Sequence, residues 1–241
     1  MSILLLARRD SGLQAVANGL EVMYAFDEGS GQTLTDLSGN GHTATLGSTA
    51  GADTNDPQWN AAGLAYTTDD FVECGTAAAL HGDAWTVCAA VKMTPAQTMP
   101  VLGWSSSSHV PAVFGAAPFN GNRPLVWLAA NCFRYFEKNN PVDVGDGNWH
   151  FLVFTCPGNA AADILTSDLV VDGQTQVVNS TTNTQAGAAK AACQLGAAGT
   201  VYFGEGETAF VSLHSRVLAG AEKEQMREFA RATLEGRVTL P

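Results

Sequence analysis

Residues 22–46 read Val-Met-Tyr-Ala-Phe-Asp-Glu-Gly-Ser-Gly-Gln-Thr-Leu-Thr-Asp-Leu-Ser-Gly-Asn-Gly-His-Thr-Ala-Thr-Leu. Two short strand-like pieces flank a dense set of turns. Gly29, Gly31, Gly39 and Gly41 supply backbone freedom. Asp36, Ser38 and Asn40 carry short polar side chains that close turns by bonding nearby backbone. Short strands separated by such turns set the expectation for the rest of the chain.

Working outward, the same pattern recurs. Residues 47–63, rich in Gly, Asp and Asn around Pro57 and Trp59, read as a loop. Phe71-Val72-Glu73 is a short strand. Trp85-Thr-Val-Cys-Ala-Ala-Val-Lys-Met93 is the clearest strand, with Trp85, Val87, Ala89 and Val91 on one face. Val101 to Trp104 begins another, and residues 110–136 hold three short apolar runs between turn residues. A Gly145-Asp146-Gly147-Asn148 turn leads into Trp149-His-Phe-Leu-Val-Phe-Thr155. Asp172-Gly173 between two Val-rich runs is the signature of a hairpin with a type I′ turn. The Ser/Thr/Asn/Ala/Gly tract 179–200 reads as a rim loop. A helix is expected over about Ala221 to Leu234, with Met226, Phe229, Ala230 and Leu234 as its apolar face and Gly236 past its end.

In order and spacing these motifs resemble the laminin-G-like, or concanavalin A-like, β-sandwich family. The carriers are Tyr24-Ala-Phe-Asp-Glu, Asp36-Leu-Ser-Gly-Asn-Gly, Phe71-Val-Glu, Trp85 to Lys92, Gly147-Asn-Trp-His and Val171-Asp-Gly. Phe203-Gly-Glu and Arg216-Val-Leu close the series. The resemblance implies an all-β fold, an antiparallel two-sheet jelly-roll sandwich, here with a short C-terminal helix. It departs from the family at Ala90, where a second aromatic is expected, and near Ala209 and Phe210, where acids are expected. The implied organisation is an N-terminal arm or extra strand (1–20), the sandwich (21–220), and a C-terminal helix and tail (221–241).

Of 241 residues, 12 are basic and 23 acidic, for a net charge of −11. Such a chain repels phosphate backbones and carries no basic stripe, so neither nucleic acid nor an anionic membrane is expected as a partner. The charged fraction of 15% suits a surface partly buried against other proteins. Cys74, Cys88, Cys132, Cys156 and Cys193 form no Cys-x-x-Cys pair and are odd in number, so buried thiols are expected rather than a disulfide framework. Residues 3–7 are too short for a signal peptide, and Arg8 and Arg9 follow them instead of preceding them. The expectation is synthesis in a host cytoplasm without secretion.

The chemistry is sparse. Glycoside hydrolysis needs two carboxylates across a cleft, about 5–5.5 Å apart for retention. Only Glu205-Gly-Glu207 approaches such a set, and it reads as edge or turn acids. The expectation is therefore that the chain is not an enzyme, and no catalytic, cofactor-binding or metal-ligating residue is assigned. Calcium is the cofactor the fold family suggests, with Asp36 and Asn40, then Asp143 and Asp146, as oxygen donors. For sugar binding, Trp59, Trp104 and Tyr66 lie in or beside loops, whereas Trp85, Trp127 and Trp149 read as core. His150, in an apolar strand, reads as a packed or hydrogen-bonded ring. Three functions follow. The first is a bacteriophage virion component, either capsid decoration or tail-associated, forming a homo-oligomer (a trimer favoured) with capsid or tail proteins as partners. The second is a lectin-like module for a glycan, with calcium as an option. The third is a glycoside hydrolase, which the missing paired acids count against.

Overall fold

The structure, a computed structural model, describes residues 12–74, 84–94, 97–105, 112–116, 121, 123–185, 192–198 and 202–241. The expected strand or arm at Ile3 to Leu6 lies outside them, as do His81 and His109. Alternation along Trp85–Met93 sends Trp85, Val87, Ala89 and Val91 to one side and Cys88 and Ala90 to the other. Both sides are buried, because this strand is central in its sheet. The order there is Gln174–Thr175, Asp168–Val171, Trp149–Cys156, Trp85–Met93, Gly206–His214, Leu64–Tyr66 and Gln58–Trp59. Leu20–Tyr24 also pairs with Gly206–His214, making eight strands among the described residues.

A nine-stranded sheet faces it. Its order is Val178–Asn183, Cys132–Phe136, Leu125–Ala129, Ala112–Ala116, Met99–Ser105, Ala192–Leu195, Val72–Glu73, Ala44–Leu46 and Thr33–Leu34. Every pairing in both sheets is antiparallel. The main core lies between the sheets, where Val87, Leu152, Phe154 and Leu213 meet Val72, Leu102, Trp104 and Leu128. Trp85 and Trp104 pack across it with ring centroids 5.2 Å apart. The architecture is the two-sheet sandwich the sequence predicts. All five cysteines are buried free thiols.

The outer face of the eight-stranded sheet is apolar as well, and the helix Gly220–Leu234 covers it. Its buried residues are Met226, Phe229, Ala230 and Leu234. Phe229 meets Phe210 edge-on at 6.2 Å, and Phe210 meets Phe151 at 6.3 Å. Burying each large side chain contributes roughly 1.5–3 kcal/mol, far more than helix propensity, so docking rather than local preference holds the helix. Glu222 accepts from the Ala219 backbone N–H at 2.8 Å and takes a forked pair from Arg216 at 2.5 and 2.8 Å. Residues 13–19 run beneath the helix: Ala15 and Val16 are buried, and Val16 N donates to Met226 Sδ.

The hairpin at Asp172-Gly173 has φ of +51° and +83°, the left-handed pair a type I′ turn requires. The tract 179–200 departs from its reading as a loop. Val178–Asn183 pairs with Cys132–Phe136, and Ala192–Leu195 pairs with Met99–Ser105. Val178–Asn183 is an edge strand with half-buried and exposed side chains, so it needs no apolar alternation, and composition concealed it.

Candidate functional site

The turn at residues 36–42 is closed on itself. Asp36 accepts from Met23 N, Ser38 N, Ser38 Oγ and His42 N at 2.8–3.1 Å. Burial opposes its charge, but these donors hold its carboxyl below the usual carboxylate range. Asn40 Nδ2 donates to the carbonyls of Leu20 and Glu21. The first pair of calcium candidates is thus engaged in fastening the turn to the first strand. In the second pair, Asp143 accepts from Gly145 N at 2.9 Å, while Asp146 turns away toward His150. Among the described residues no three His, Cys, Asp or Glu side chains gather into a metal cluster.

A more suggestive arrangement lies where the Gly145-Asp146-Gly147-Asn148 turn enters strand Trp149–Cys156. Gly147 adopts φ +81°, and Asp146 fastens the turn by accepting from Asn148 N and Nδ2, both at 2.8 Å. His150 Nδ1 stands 2.7 Å from Asp172 Oδ2, and its Nε2 stands 3.0 Å from Asp146 Oδ1. Two carboxylate acceptors, one at each ring nitrogen, favour the imidazolium form, in which both nitrogens donate. Burial works against that charge, but the bonds to Asp172 and Asp146 outweigh it and raise the His150 pKa. His150 thereby joins the Asp146 turn to the Asp172 hairpin. Asp172 Oδ1 also accepts from Phe151 N at 2.8 Å, tying the hairpin turn to the same strand.

This node borders an open groove of about 610 Å³, lined by Lys92, Asn148, Trp149, Arg237 and Thr239 among others. The tail forms the opposite wall. Arg237 anchors it by donating to the Ala25 and Phe26 carbonyls at 2.8 and 2.7 Å. Lys92 Nζ pairs with Glu207 Oε1 at 2.8 Å, and Asn60 Nδ2 donates to Glu207 Oε2 at 2.8 Å. Glu207 therefore stands on a central strand, not at an edge as its sequence context suggests.

The aromatic assignments change accordingly. Trp104 and Tyr66 are core residues, 0% and 3% exposed. Trp59 is partly buried and donates through Nε1 to the Gly31 carbonyl. Trp149, read as core, is half-buried and lines the groove. The chain termini of strands escape a periodicity argument, and nothing in the sequence links Trp149 to the tail at 237–241.

No protein-family model matches the sequence, and no curated protein matches it. Solved structures do. Domain 4 of AbnA, a GH43 extracellular arabinanase from Geobacillus stearothermophilus, in complex with arabinotriose, aligns over 88% of this chain and 98% of its own, with TM-score 0.60 and 16% identity. A Trypanosoma rangeli sialidase in complex with 2,3-difluorosialic acid aligns over 94% of this chain and 35% of its own, with TM-score 0.60 and 16% identity. A botulinum neurotoxin type C structure, whose cell entry depends on two ganglioside molecules, aligns over 91% and 52%, with TM-score 0.59 and 9% identity. At these identities the likeness establishes the shared sandwich. It also overturns the expectation that the chain is not an enzyme. Chains of an arabinanase and of sialidases carry this sandwich, so the lack of an alternating acid motif gives no ground for excluding glycoside hydrolysis.

Proposed function

We propose that this chain is a carbohydrate-binding β-sandwich that takes an oligosaccharide in the groove between Trp149 and the tail 237–241. The observation that carries the reading is the composition of that groove. A half-buried indole stands beside Asn148, Lys92 and Thr239 on a turn locked by Asp146 and His150. Sugars need this combination: an apolar face for their C–H groups and fixed polar atoms for their hydroxyls. The arabinanase domain of the same fold, described as complexed with arabinotriose, adds support, as do the sialidase and the neurotoxin, proteins described with a sialic acid derivative and with gangliosides, of whose chains the aligned sandwich is 35% and 52%.

Isothermal titration with arabino-oligosaccharides and sialylated oligosaccharides tests it. Binding should weaken roughly tenfold or more in Trp149→Ala, equivalent to about 1.4 kcal/mol. Absence of binding across the panel, or unchanged affinity in Trp149→Ala, would refute the groove. The same mixtures are to be scored for released sugar, since the fold leaves hydrolysis open.

A second reading, an assembly protein of a bacteriophage particle, draws on one feature. Strand Val178–Asn183 ends the nine-stranded sheet, and Val177, Val178 and Leu165 are 45%, 37% and 49% exposed. Apolar side chains beside an open strand edge favour pairing with another chain. Light scattering decides: a trimer or larger ring supports this reading, and a monomer of 25.1 kDa removes it.

A further inference from the structure

The chain crosses from the nine-stranded to the eight-stranded sheet between Gly47, after strand Ala44–Leu46, and Pro57, before strand Gln58–Trp59. This crossover carries Asp53 and Asp56 and lies against Asp69 and Asp70. Gly47 N donates to the Phe71 carbonyl at 2.8 Å, and Phe71 N donates to the Asn55 carbonyl at 3.2 Å. Asn55 Nδ2 donates to Asp69 Oδ2 at 3.2 Å. Three segments thus meet around a group of carboxylates. Among the described residues no lysine, arginine or histidine pairs with any of the four.

Asp56 is the anomaly. It is 5% exposed, and its Oδ2 accepts from Asp53 N at 2.9 Å. Its Oδ1 is buried with no hydrogen-bond partner. A carboxylate oxygen so placed is strongly disfavoured unless something positive stands against it. That oxygen faces Gly47: a Cβ added there would stand 2.1 Å from it and 2.9 Å from Asp53 Oδ1. Two carboxylates from one loop therefore converge on Gly47, Asp53 being oriented there by Asn55 N, which donates to its Oδ1 at 2.9 Å, and by the Ser48 and Thr49 hydroxyls, which donate to its Oδ2.

We infer that Asp53 and Asp56 form a calcium site that clamps the crossover between the two sheets. Calcium suits it because it accepts hard oxygen donors from irregular loops, completing its six to eight ligands with carbonyls and water. The site is separate from both Asp36/Asn40 and Asp143/Asp146. With two carboxylates, a dissociation constant on the order of 0.1–1 mM is expected.

The test is thermal unfolding of the whole chain in EDTA, in CaCl2 at roughly ten times that constant or more, and in NaCl of matched ionic strength. Calcium should raise Tm by roughly 3–10 °C, and NaCl should not. Asp56→Asn should abolish the rise, and Asp143→Asn should keep it. If Asp56→Asn fails to fold, Asp53→Asn, altered at the surface end of the pair, should reduce the rise by half or more. No calcium-specific rise, or one that survives in both Asp53→Asn and Asp56→Asn, overturns the proposal.

Discussion

His150 and His214 stand in strands of the same sheet, 4% and 0% exposed, yet the fold shifts their pKa values in opposite directions. His150 has a carboxylate at each nitrogen. His214 has one neutral partner, the Val16 carbonyl at 3.0 Å from Nε2, and its buried Nδ1 has none. Burial therefore dominates at His214 and pushes its pKa down to about 4. At His150 burial acts in the same sense but loses to two carboxylates. Desolvation sets the default, and only partners fixed by the surrounding strands reverse it. The difference also separates the molecule into a sealed end, where residues 13–19 and the helix close over the sheet, and a rim where charge is stored beside an open groove.

The largest effect expected from this contrast is at His214. Its folded pKa lies below the unfolded value of about 6.5, so its contribution is present above that pH. It is lost as pH falls toward about 4, a loss of about 3 kcal/mol. Urea unfolding of the native chain and of His214→Gln across that range should show a steeper loss of stability with falling pH in the native chain than in the variant; equal slopes would break the comparison. At His150 the sign is opposite. Its raised pKa means its contribution is full below about pH 6.5 and disappears as pH rises through the folded value. His150→Gln should cost roughly 1–2 kcal/mol at pH 6 and less in alkaline solution, measured by the same unfolding series. Asp146, whose carboxyl is held low by His150 and Asn148 against the effect of burial, contributes above its unfolded pKa and loses that contribution in acid. The smallest effect is at Lys92, whose ion pair with Glu207 is 41% exposed on the lysine side. Lys92→Met should change stability by less than about 1 kcal/mol, and a larger loss would mean that the rim is more tightly coupled than its exposure implies.

Much of the sandwich is legible in the sequence. The alternation at Trp85–Met93, the Asp172-Gly173 turn and the apolar stripe of the helix are local signals, each satisfied by residues close in sequence. The candidate site was legible only in pieces. Asp146 and His150 stood out, but Asp172 appeared merely as a turn residue, because its bond to His150 spans two strands. The apolar run around Trp149 points to the core, although as the first residue of its strand it emerges at the rim. The strand Val178–Asn183 leaves no signal in the sequence, because an edge position relaxes the alternation that reveals a strand.

Sequence alone determined the all-β class, the order of most strands, the hairpin turn and the amphipathic helix, since hydrophobic period and turn chemistry act over a few residues. Tertiary structure decided what that helix covers, which carboxylates meet which histidine, and which tryptophan faces solvent. It also decided that Asp36 is satisfied by four donors while Asp56 keeps one oxygen bare. Those outcomes depend on distances between residues far apart in the chain, and only the packing of two sheets and a helix sets them.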